Sequence, residues 1–449
     1  TRRSSDLNNW DLLQARFIMN VGLVLEDNKA YADGKGREYY IDYVMNRSSI
    51  RQWSLTRLAE YGFDSKTGIW AECPGYSSVV INDYANFVNQ FDNNLRYDLV
   101  KAMPVLSKAV ATTPQYLFPN RMICGFGDTH PGYLNTNFFV RMIQNAQANG
   151  KKEQEDYFTA LLKCLNPGAG NEKAEKKNVR VSVNSFFEDK PLTLNPEVQA
   201  GKIEEYVSPL FHAPNVSWLV QRNGMDPRSS LMISQNGSEG NHMHANGISM
   251  ELYGKGYVLG PDAGIGLFLY SGLDYAEYYS QFPSHNTVCV DGISSYPVMK
   301  SNHSFELLSC FPASAEPGGE FTSVTYSNLY FREPESRADQ TRMMSIVTTA
   351  PETGYYVDVF RSRKEKGGDK MHDYFYHNLG QTLTLTAADG TDLNLQPTEE
   401  LAFAGAHLYA YSYLYDKKVA ATGKDVKATF TIDMKDKGGD DISMNLWMK

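Results

Sequence analysis

Hydrophobic residues in the first third of the chain recur at three- and four-residue steps, which is the spacing of one helix face. Between Asn9 and Asp27 the pattern is formed by Leu12, Leu13, Phe17, Ile18, Val21, Val24 and Leu25. The same spacing predicts helices over 36–46, 51–61, 79–95, 96–112, 134–149 and 152–164. Gly, Pro, Asn and Asp occupy the turns between them. The first third is therefore predicted to be all-α.

The pattern changes after a polar segment that begins at Asn166 and contains the charged run NEKAEKKN. Its low hydrophobicity is typical of a linker or an exposed loop. Beyond it, short apolar or alternating segments are separated by closely spaced turn signals, and Val, Thr, Tyr and Phe are abundant. Such segments cover 179–187, 217–220, 231–235, 355–360 and 428–432. This second pattern predicts an antiparallel β-sandwich.

A β-hairpin is predicted near the middle of the β-rich part. Residues 248–252 alternate apolar and polar side chains, as in a strand with one face on a core. The sequence Gly254-Lys255-Gly256 supplies the turn, and 257–259 forms the returning strand.

Ionisable side chains surround this hairpin. His242 and His244 precede it, two residues apart, and on a strand they would share one face. Asp262 follows the hairpin, and His285 precedes the next apolar run. Two or three imidazoles and one carboxylate can converge here, which is a ligand set suited to zinc. The alternative is that these histidines are core residues whose nitrogens are satisfied by hydrogen bonds.

Size and composition narrow the class of protein. A chain of 449 residues exceeds what one hydrophobic core usually serves, so two domains are expected. No apolar run is long enough to cross a bilayer. The net charge is −9, and the first 165 residues carry 18 Lys and Arg against 17 Asp and Glu, without the basic stripe of a nucleic-acid binder. Five scattered cysteines form no CxxC pair and leave the compartment open.

The order of these motifs resembles the heparinase II/III-like polysaccharide lyases. The resemblance is carried by HMH, ELYGKG, an Asp after the hairpin, and HNTV followed by VDG. It implies that His244, Asp262 and His285 hold one divalent metal ion, with zinc as the expected metal and a structural role, and that His242 is a catalytic residue facing the substrate.

The resemblance also assigns a catalytic tyrosine to the loop GIWAECPGY, which ends at Tyr76. Taken alone, Tyr76 would be one packing residue among 29 tyrosines. In the family such a Gly-x-x-x-Glu-x-x-x-Tyr loop carries the catalytic Tyr, and Glu72 and Ser77 beside it are expected to contact substrate. Many relatives have His where Ser77 stands.

Further site residues follow from the same resemblance. Asn9, with Asn8 as the alternative, matches an Asn that contacts the uronate carboxylate. Trp10 beside it replaces a His of alginate-type relatives and is expected to contact substrate. Without the resemblance, the Asn would be an ordinary helix cap and Trp10 a buried residue. Tyr270 matches a catalytic Tyr of those relatives. Tyr278, in the same tyrosine-rich segment, is expected to contact the sugar.

The implied fold class is α+β and multidomain. An incomplete (α/α) toroid of antiparallel helices over 1–165 is followed by a linker with the first strands over 166–208. A large antiparallel β-sandwich then covers 209–449. Relatives have further helices before the one that carries the Asn, so a missing N-terminal segment of the same protein is expected to complete the toroid. The expected location is periplasmic or secreted in a bacterium, although the chain shows no signal peptide.

The function implied is β-elimination on an acidic, uronic-acid-containing polysaccharide or oligosaccharide. A neutraliser of the carboxylate, a base for the C5 proton and an acid for the leaving oxygen are required. Asn9 fits the first role, and Tyr76, with His242 or Tyr270, fits the other two. One alternative is an (α/α)-fold glycoside hydrolase that uses Glu72 with Asp64 or Asp128. Another is a sugar-binding protein without catalysis.

Overall fold

The computed structural model describes residues 9–49, 52–167, 192–266, 272–294, 300–314, 316–367 and 371–449. The chain divides into two compact units. The helical unit comprises residues up to 117, 133–208 and 316–319, and the β-rich unit comprises 118–132, 209–315 and 320–449. The segment 118–132 belongs to the β-rich unit although helices of the other unit precede and follow it in sequence.

The described part of the helical unit contains eight α-helices, and their positions follow the predicted hydrophobic pattern. They are α1 (Trp10–Val24), α2 (Arg37–Asn46), α3 (Leu55–Gly62), α4 (Pro74–Gln90), α5 (Leu99–Ala102), α6 (Val105–Thr112), α7 (Asn137–Ala148) and α8 (Lys152–Leu165). Prolines explain two of the differences from prediction. Pro74 begins α4 five residues early because proline suits the first helical turn. Pro104 separates α5 from α6, where one helix was predicted.

The core of the helical unit contains buried side chains from all eight described helices, and it also buries Trp70. Its large aromatic residues include Tyr84, Phe87 and Phe138. None of the described helices is long and apolar enough to span a bilayer. One side of α1 is different, because four apolar side chains there are at least half exposed. These are Trp10, Phe17, Val21 and Val24, with exposures of 65%, 64%, 50% and 69%. Their spacing places them along one side of the helix.

The described part of the β-rich unit contains eighteen strands. They are β1 (Leu210–Ala213), β2 (Trp218–Arg222), β3 (Met232–Asn236), β4 (Ser238–Asn241), β5 (Ser249–Gly254), β6 (Tyr257–Gly260), β7 (Val288–Val290), β8 (Lys300–His303), β9 (Glu306–Phe311), β10 (Val324–Arg332), β11 (Asp339–Ala350), β12 (Thr353–Arg363), β13 (His372–Tyr374), β14 (Thr382–Ala387), β15 (Gln396–Pro397), β16 (Lys418–Val419), β17 (Val426–Ile432) and β18 (Ile442–Met448). The predicted hairpin is confirmed as β5 and β6, which pair antiparallel.

Two sheets form the centre of this unit. One has the strand order β1-β2-β3-β5-β6, and the other has the order β12-β11-β10-β9. Ile233, Met250 and Leu252 of the first sheet pack against Met344 and Ile346 of the second. This face-to-face packing makes the antiparallel β-sandwich that the alternation predicts. A helical part followed by an antiparallel sandwich confirms the predicted α+β fold class.

Candidate active site and metal centre

Three ionisable side chains that are separate in sequence converge in the β-rich unit. His244 lies in the loop 242–248 between β4 and β5, Asp262 follows β6, and His285 precedes β7. One potential ligand atom from each lies within 4.8 Å of the others, and all three residues are buried. The structure therefore brings together the three residues for which metal binding was predicted.

Hydrogen bonds fix the orientation of Asp262 and His285. The Asp262 Oδ2 atom lies 2.9 Å from His285 Nδ1, and Oδ1 accepts a 2.9 Å hydrogen bond from the Gly264 backbone N–H. The Asn246 side-chain amide donates to Oδ2 at 3.2 Å. Burial opposes ionisation of Asp262, but the neighbouring His285, together with His244 and the Gly264 N–H, outweighs it, so the pKa of Asp262 is below its ordinary value. The carboxylate form is thus the one that the site stabilises.

The donor set fits a metal ion. His244 Nδ1 and His285 Nε2 are buried, and among the described residues neither has a hydrogen-bond partner. An unsatisfied buried imidazole nitrogen costs free energy unless a ligand occupies its lone pair. Two imidazole nitrogens and a carboxylate oxygen are ligands that zinc accepts.

Asp128 connects His242 to His244. Its Oδ2 atom lies 2.7 Å from His242 Nδ1, and its Oδ1 atom lies 2.8 Å from His244 Nε2. The Tyr275 hydroxyl donates to the same Oδ1 at 2.5 Å. Burial opposes ionisation of Asp128, but the hydrogen bonds from His242 and His244 outweigh it and lower its pKa. Sequence reasoning considered Asp128 only as a hydrolase carboxylate and did not single out Tyr275.

Asp128 lies in the segment 118–132, which is held in position by several contacts within the β-rich unit. The backbone N–H of Asp128 donates to the His242 carbonyl at 2.8 Å. The Gly125 N–H donates to Glu251 Oε1 on β5, also at 2.8 Å. Gly264 has φ +56°, and a Cβ there would lie 2.1 Å from the Thr129 carbonyl oxygen. Only glycine permits this approach between the Asp128 segment and the turn after Asp262.

The two histidines of the HMH motif do not lie on a strand, which corrects the expectation that strand alternation would place them on one face. They lie in the loop after β4, and His242 adopts a left-handed backbone conformation with φ +57°. A non-glycine residue in this conformation costs free energy and is held in place by its surroundings. The two rings share Asp128 instead of a sheet face. His242 keeps 10% of its side chain exposed, whereas His244 is fully buried.

Arg342 of β11 holds the backbone at two places in the site, at the end of the loop with His242 and His244 and directly after His285. Its Nη1 group donates to the carbonyls of Ile248 and Asn286, at 2.8 and 2.6 Å. Ile248 closes the loop that carries both histidines, and Asn286 directly follows His285. The guanidinium is buried and paired with Asp358, with Nη2 to Oδ2 at 2.7 Å. The loops of the site are therefore fastened to the second sheet of the sandwich.

The candidates in the helical unit lie at the starts of helices. Tyr76 is half-buried in the first turn of α4, just after Pro74, rather than in a loop. Asn9 directly precedes α1, and its side chain makes no capping hydrogen bond, contrary to the expected cap. Trp10 begins α1 and is 65% exposed, so its expected burial is wrong.

Glu72 and Ser77 are both completely buried, with 0% exposure. The Ser77 hydroxyl accepts a 3.1 Å hydrogen bond from Tyr116. The predicted contact of these two side chains with substrate is at odds with their burial, because neither presents an atom to solvent. Asp64 accepts hydrogen bonds from the backbone of Lys66 and Thr67, as a turn residue does.

The tyrosine-rich segment is described from residue 272 onward, and Tyr270 and Asn8 lie outside the described residues. Tyr278 is half-buried, and its ring stacks on Tyr413 with 5.5 Å between centroids. Burial raises the pKa of Tyr278 to about 12, so its hydroxyl stays protonated. Its stacked ring remains a candidate surface for a sugar.

Comparison with known proteins matches two adjoining parts of the chain to family models. Residues 66–206 match the second domain of endo-acting ulvan lyases, and residues 207–352 match the heparinase II/III-like C-terminal domain. This confirms the family resemblance seen in the motifs, and the domain contains His242, His244, Asp262 and His285.

An endo-acting ulvan lyase of Formosa agariphila is 25% identical over 95% of this chain. The chain spans 53% of the length of that relative. Solved structures of a heparinase III, the BT4657 gene product, and of the heparan sulfate lyase HepC of Pedobacter heparinus align with 97–98% of this chain and 65–66% of theirs. Their sequence identity is 11% in both cases, and the TM-scores are 0.43 and 0.42.

Proposed function

We propose that this protein is a polysaccharide lyase that cleaves a uronic-acid-containing polysaccharide by β-elimination. The observation that carries the proposal is the cluster in the heparinase II/III-like domain. There, His242 is held by the Asp128 carboxylate beside a histidine and carboxylate set suited to a metal. The curated relative that matches most of the chain is itself a polysaccharide lyase.

The reaction removes the C5 proton of the uronate and expels the oxygen at C4, which leaves a C4–C5 double bond. Asn9 is assigned to the uronate carboxylate, where a hydrogen bond stabilises the charge that develops in the enolate. Tyr76 and His242 are assigned to proton transfer. With the Asp128 carboxylate as acceptor, His242 would carry its proton on Nδ1, and Nε2 would be the nitrogen that takes up or releases a proton. Tyr270 remains the alternative partner from the sequence.

His244, Asp262 and His285 are proposed to hold one divalent metal ion, with zinc the best match to their donor atoms. When bound, the ion would join the loop before β5, the turn after β6 and the segment before β7. This role would be structural, because the ion would hold the loop that carries His242 in place.

The class of substrate is an acidic polysaccharide, and the name of the relative makes ulvan the first one to test. Because a polymer of this kind is met outside the cytoplasm, a periplasmic or secreted location remains part of the proposal. The test is incubation with ulvan, heparan sulfate, alginate and other uronate polymers while ultraviolet absorbance and reducing ends are followed. Growth of absorbance from unsaturated uronate supports elimination. Reducing ends without absorbance would favour a hydrolase, and binding without either product would favour a sugar-binding protein.

Two observations weigh against the hydrolase. A general acid needs a raised pKa to hold its proton near neutral pH. Asp128 has the opposite tendency, because its pKa is lowered by the histidines that donate to it, so in a hydrolase it could serve only as the ionised carboxylate and Glu72 would have to be the acid. Glu72, the other proposed carboxylate, is completely buried.

A further inference from the structure

Asp128 is a single buried carboxylate that contacts both a proposed proton-transfer residue and a proposed metal ligand. We infer that Asp128 is a positioning residue that sets the tautomers of His242 and His244 together, and so couples the metal centre to the proton-transfer histidine. The inference rests on the proposed function for the role of His242, whereas its effect on the two rings is independent of any reaction.

The number of donors around Asp128 fixes its state. Oδ2 faces His242 Nδ1, and Oδ1 faces both His244 Nε2 and the Tyr275 hydroxyl. A carboxylate has lone pairs for all three neighbours, but a protonated carboxyl could donate to only one of them. The Asp128 side chain is fully buried. The arrangement is therefore satisfied by an ionised carboxylate that accepts three hydrogen bonds.

This arrangement has a definite consequence for His244. If Nε2 carries the proton that is donated to Asp128, then Nδ1 keeps its lone pair. Nδ1 is the buried atom of His244 that has no hydrogen-bond partner among the described residues. Asp128 thus turns the lone pair of His244 toward the site that His244 forms with Asp262 and His285.

In His242, the proton and the lone pair lie on the opposite nitrogens from those of His244. Its Nδ1 carries the proton that is donated to Asp128, so Nε2 carries the lone pair. The Asp128 backbone N–H also donates to the His242 carbonyl, which holds the strained residue from both sides. One short segment therefore controls the backbone, ring orientation and tautomer of His242.

If Asp128 only filled space, its replacement by asparagine would leave both histidine tautomers unchanged. Asparagine has nearly the same shape, but its amide NH2 group cannot accept a hydrogen bond. In Asp128→Asn, one of the two imidazoles must face that NH2 group and must rotate or change tautomer. If His244 changes, its Nδ1 becomes protonated and unsuited to a metal. If His242 changes, its Nε2 carries the proton instead.

The experiment combines nitrogen-15 NMR of labelled histidines with zinc titration and with elimination kinetics. In the parent protein, we expect the proton on Nδ1 of His242 and on Nε2 of His244. In Asp128→Asn, we expect one tautomer to switch, together with a loss of about 10- to 100-fold in zinc affinity or in kcat at unchanged KM. Tyr275→Phe leaves both histidine contacts in place and should keep both tautomers.

Asp339→Asn is the matched control, because Asp339 also accepts a hydrogen bond from a tyrosine, Tyr330, at 2.6 Å in the same unit. It should leave zinc affinity and both tautomers unaltered. The opposite tautomer of either ring in the parent protein would overturn the inference, even if Asp128→Asn does not fold. So would a folded Asp128→Asn protein with unchanged tautomers, zinc affinity and kcat. A parent protein that eliminates no substrate, but whose tautomers depend on Asp128, would refute the proposed function and leave the inference standing.

Discussion

In the β-rich unit, Asp128, His242 and His244 hold one another through hydrogen bonds, and Asp262 and His285 form a second bonded pair close to them. In the helical unit, the candidates lie at the starts of two different helices, Asn9 before α1 and Tyr76 in the first turn of α4. The contrast separates two kinds of experiment. A substitution in the β-rich cluster changes the state of its neighbours, whereas a substitution at a helix start is expected to change one interaction with substrate.

The largest expected effect is that of Tyr76→Phe, which removes a hydroxyl and keeps the ring. If that hydroxyl transfers a proton, kcat should fall by about 100- to 10,000-fold while KM changes little. The melting temperature should stay the same, because the ring still packs in the first turn of α4. Tyr61→Phe, at a 60% exposed position of the helical unit, is the control and should retain activity. Near-normal elimination by Tyr76→Phe would leave Tyr270 and His242 as the proton-transfer pair.

Asn9→Ala should have the next largest effect. Loss of a hydrogen bond that strengthens as the enolate forms should lower kcat by about 100-fold. Since the Asn9 side chain makes no capping hydrogen bond, the melting temperature should hardly change. Asn46→Ala at the end of α2 is the control for loss of an exposed amide. A large loss of stability in Asn9→Ala with normal kcat would contradict the assigned role.

Removal of the metal should act on stability first and activity second. A ligand present at 100 times its Kd stabilises the folded state by about 2.7 kcal/mol, so chelation should lower the melting temperature of the parent protein. His244→Ala should contain no stoichiometric metal, and its melting temperature should not respond to chelation. His372→Ala is the control for loss of a histidine outside the metal site, because His372 is exposed and its Nδ1 lies within hydrogen-bond distance of the Ser362 hydroxyl. A parent protein without metal, and with a melting temperature that chelation does not alter, would refute the metal centre.

The smallest expected effect is a change in the pH dependence of stability on substitution of Glu251, which has no role in the proposed reaction. Burial, followed by the charge of Asp262, raises the pKa of Glu251 to about 8 from an ordinary value of 4.5. A carboxyl with a raised folded-state pKa stabilises the fold at low pH, and this contribution is lost as the pH rises from the ordinary value through about 8. Glu251→Gln keeps the neutral shape at every pH.

The melting temperature of the metal-depleted parent should therefore fall more steeply between about pH 5 and about pH 8 than that of Glu251→Gln. Thermal unfolding of both proteins across this range is the measurement. Parallel curves for the two would show that Glu251 is ionised throughout and that burial does not control its titration.

Much of the fold could be predicted because local patterns and tertiary packing agree. Alternation over 248–252 and the glycines of the following turn predict β5 and β6, and three- and four-residue steps predict most helices. The prediction failed where proline chemistry was not weighed. Pro104 divides the helix predicted over 96–112, and Pro74 extends α4 toward its start. Both differences follow from the missing N–H of proline.

The metal ligands could be identified because His244, Asp262 and His285 flank one hairpin and the strand that follows it. Asp128 could not, since it lies 114 residues before His242 and between helices of the other unit. The signal available was the glycine-rich sequence CGFGDTHPG, which interrupts the helical pattern with a single carboxylate at its centre. Tyr275 was hidden among many tyrosines, and only the structure separates it from its neighbours.

The insertion of 118–132 within the helical stretch has a consequence for how this chain acquires its site. The ribosome produces Asp128 well before either histidine that it holds, so its carboxylate must remain solvated until the loop after β4 emerges. A gene fragment that begins at Pro209 encodes the whole sandwich yet leaves the N–H groups of His242 and His244 without their acceptor. Two halves that look separable along the sequence are therefore interdependent in biosynthesis, and any attempt to recombine domains among relatives must transfer residues 118–132 with the β-rich half.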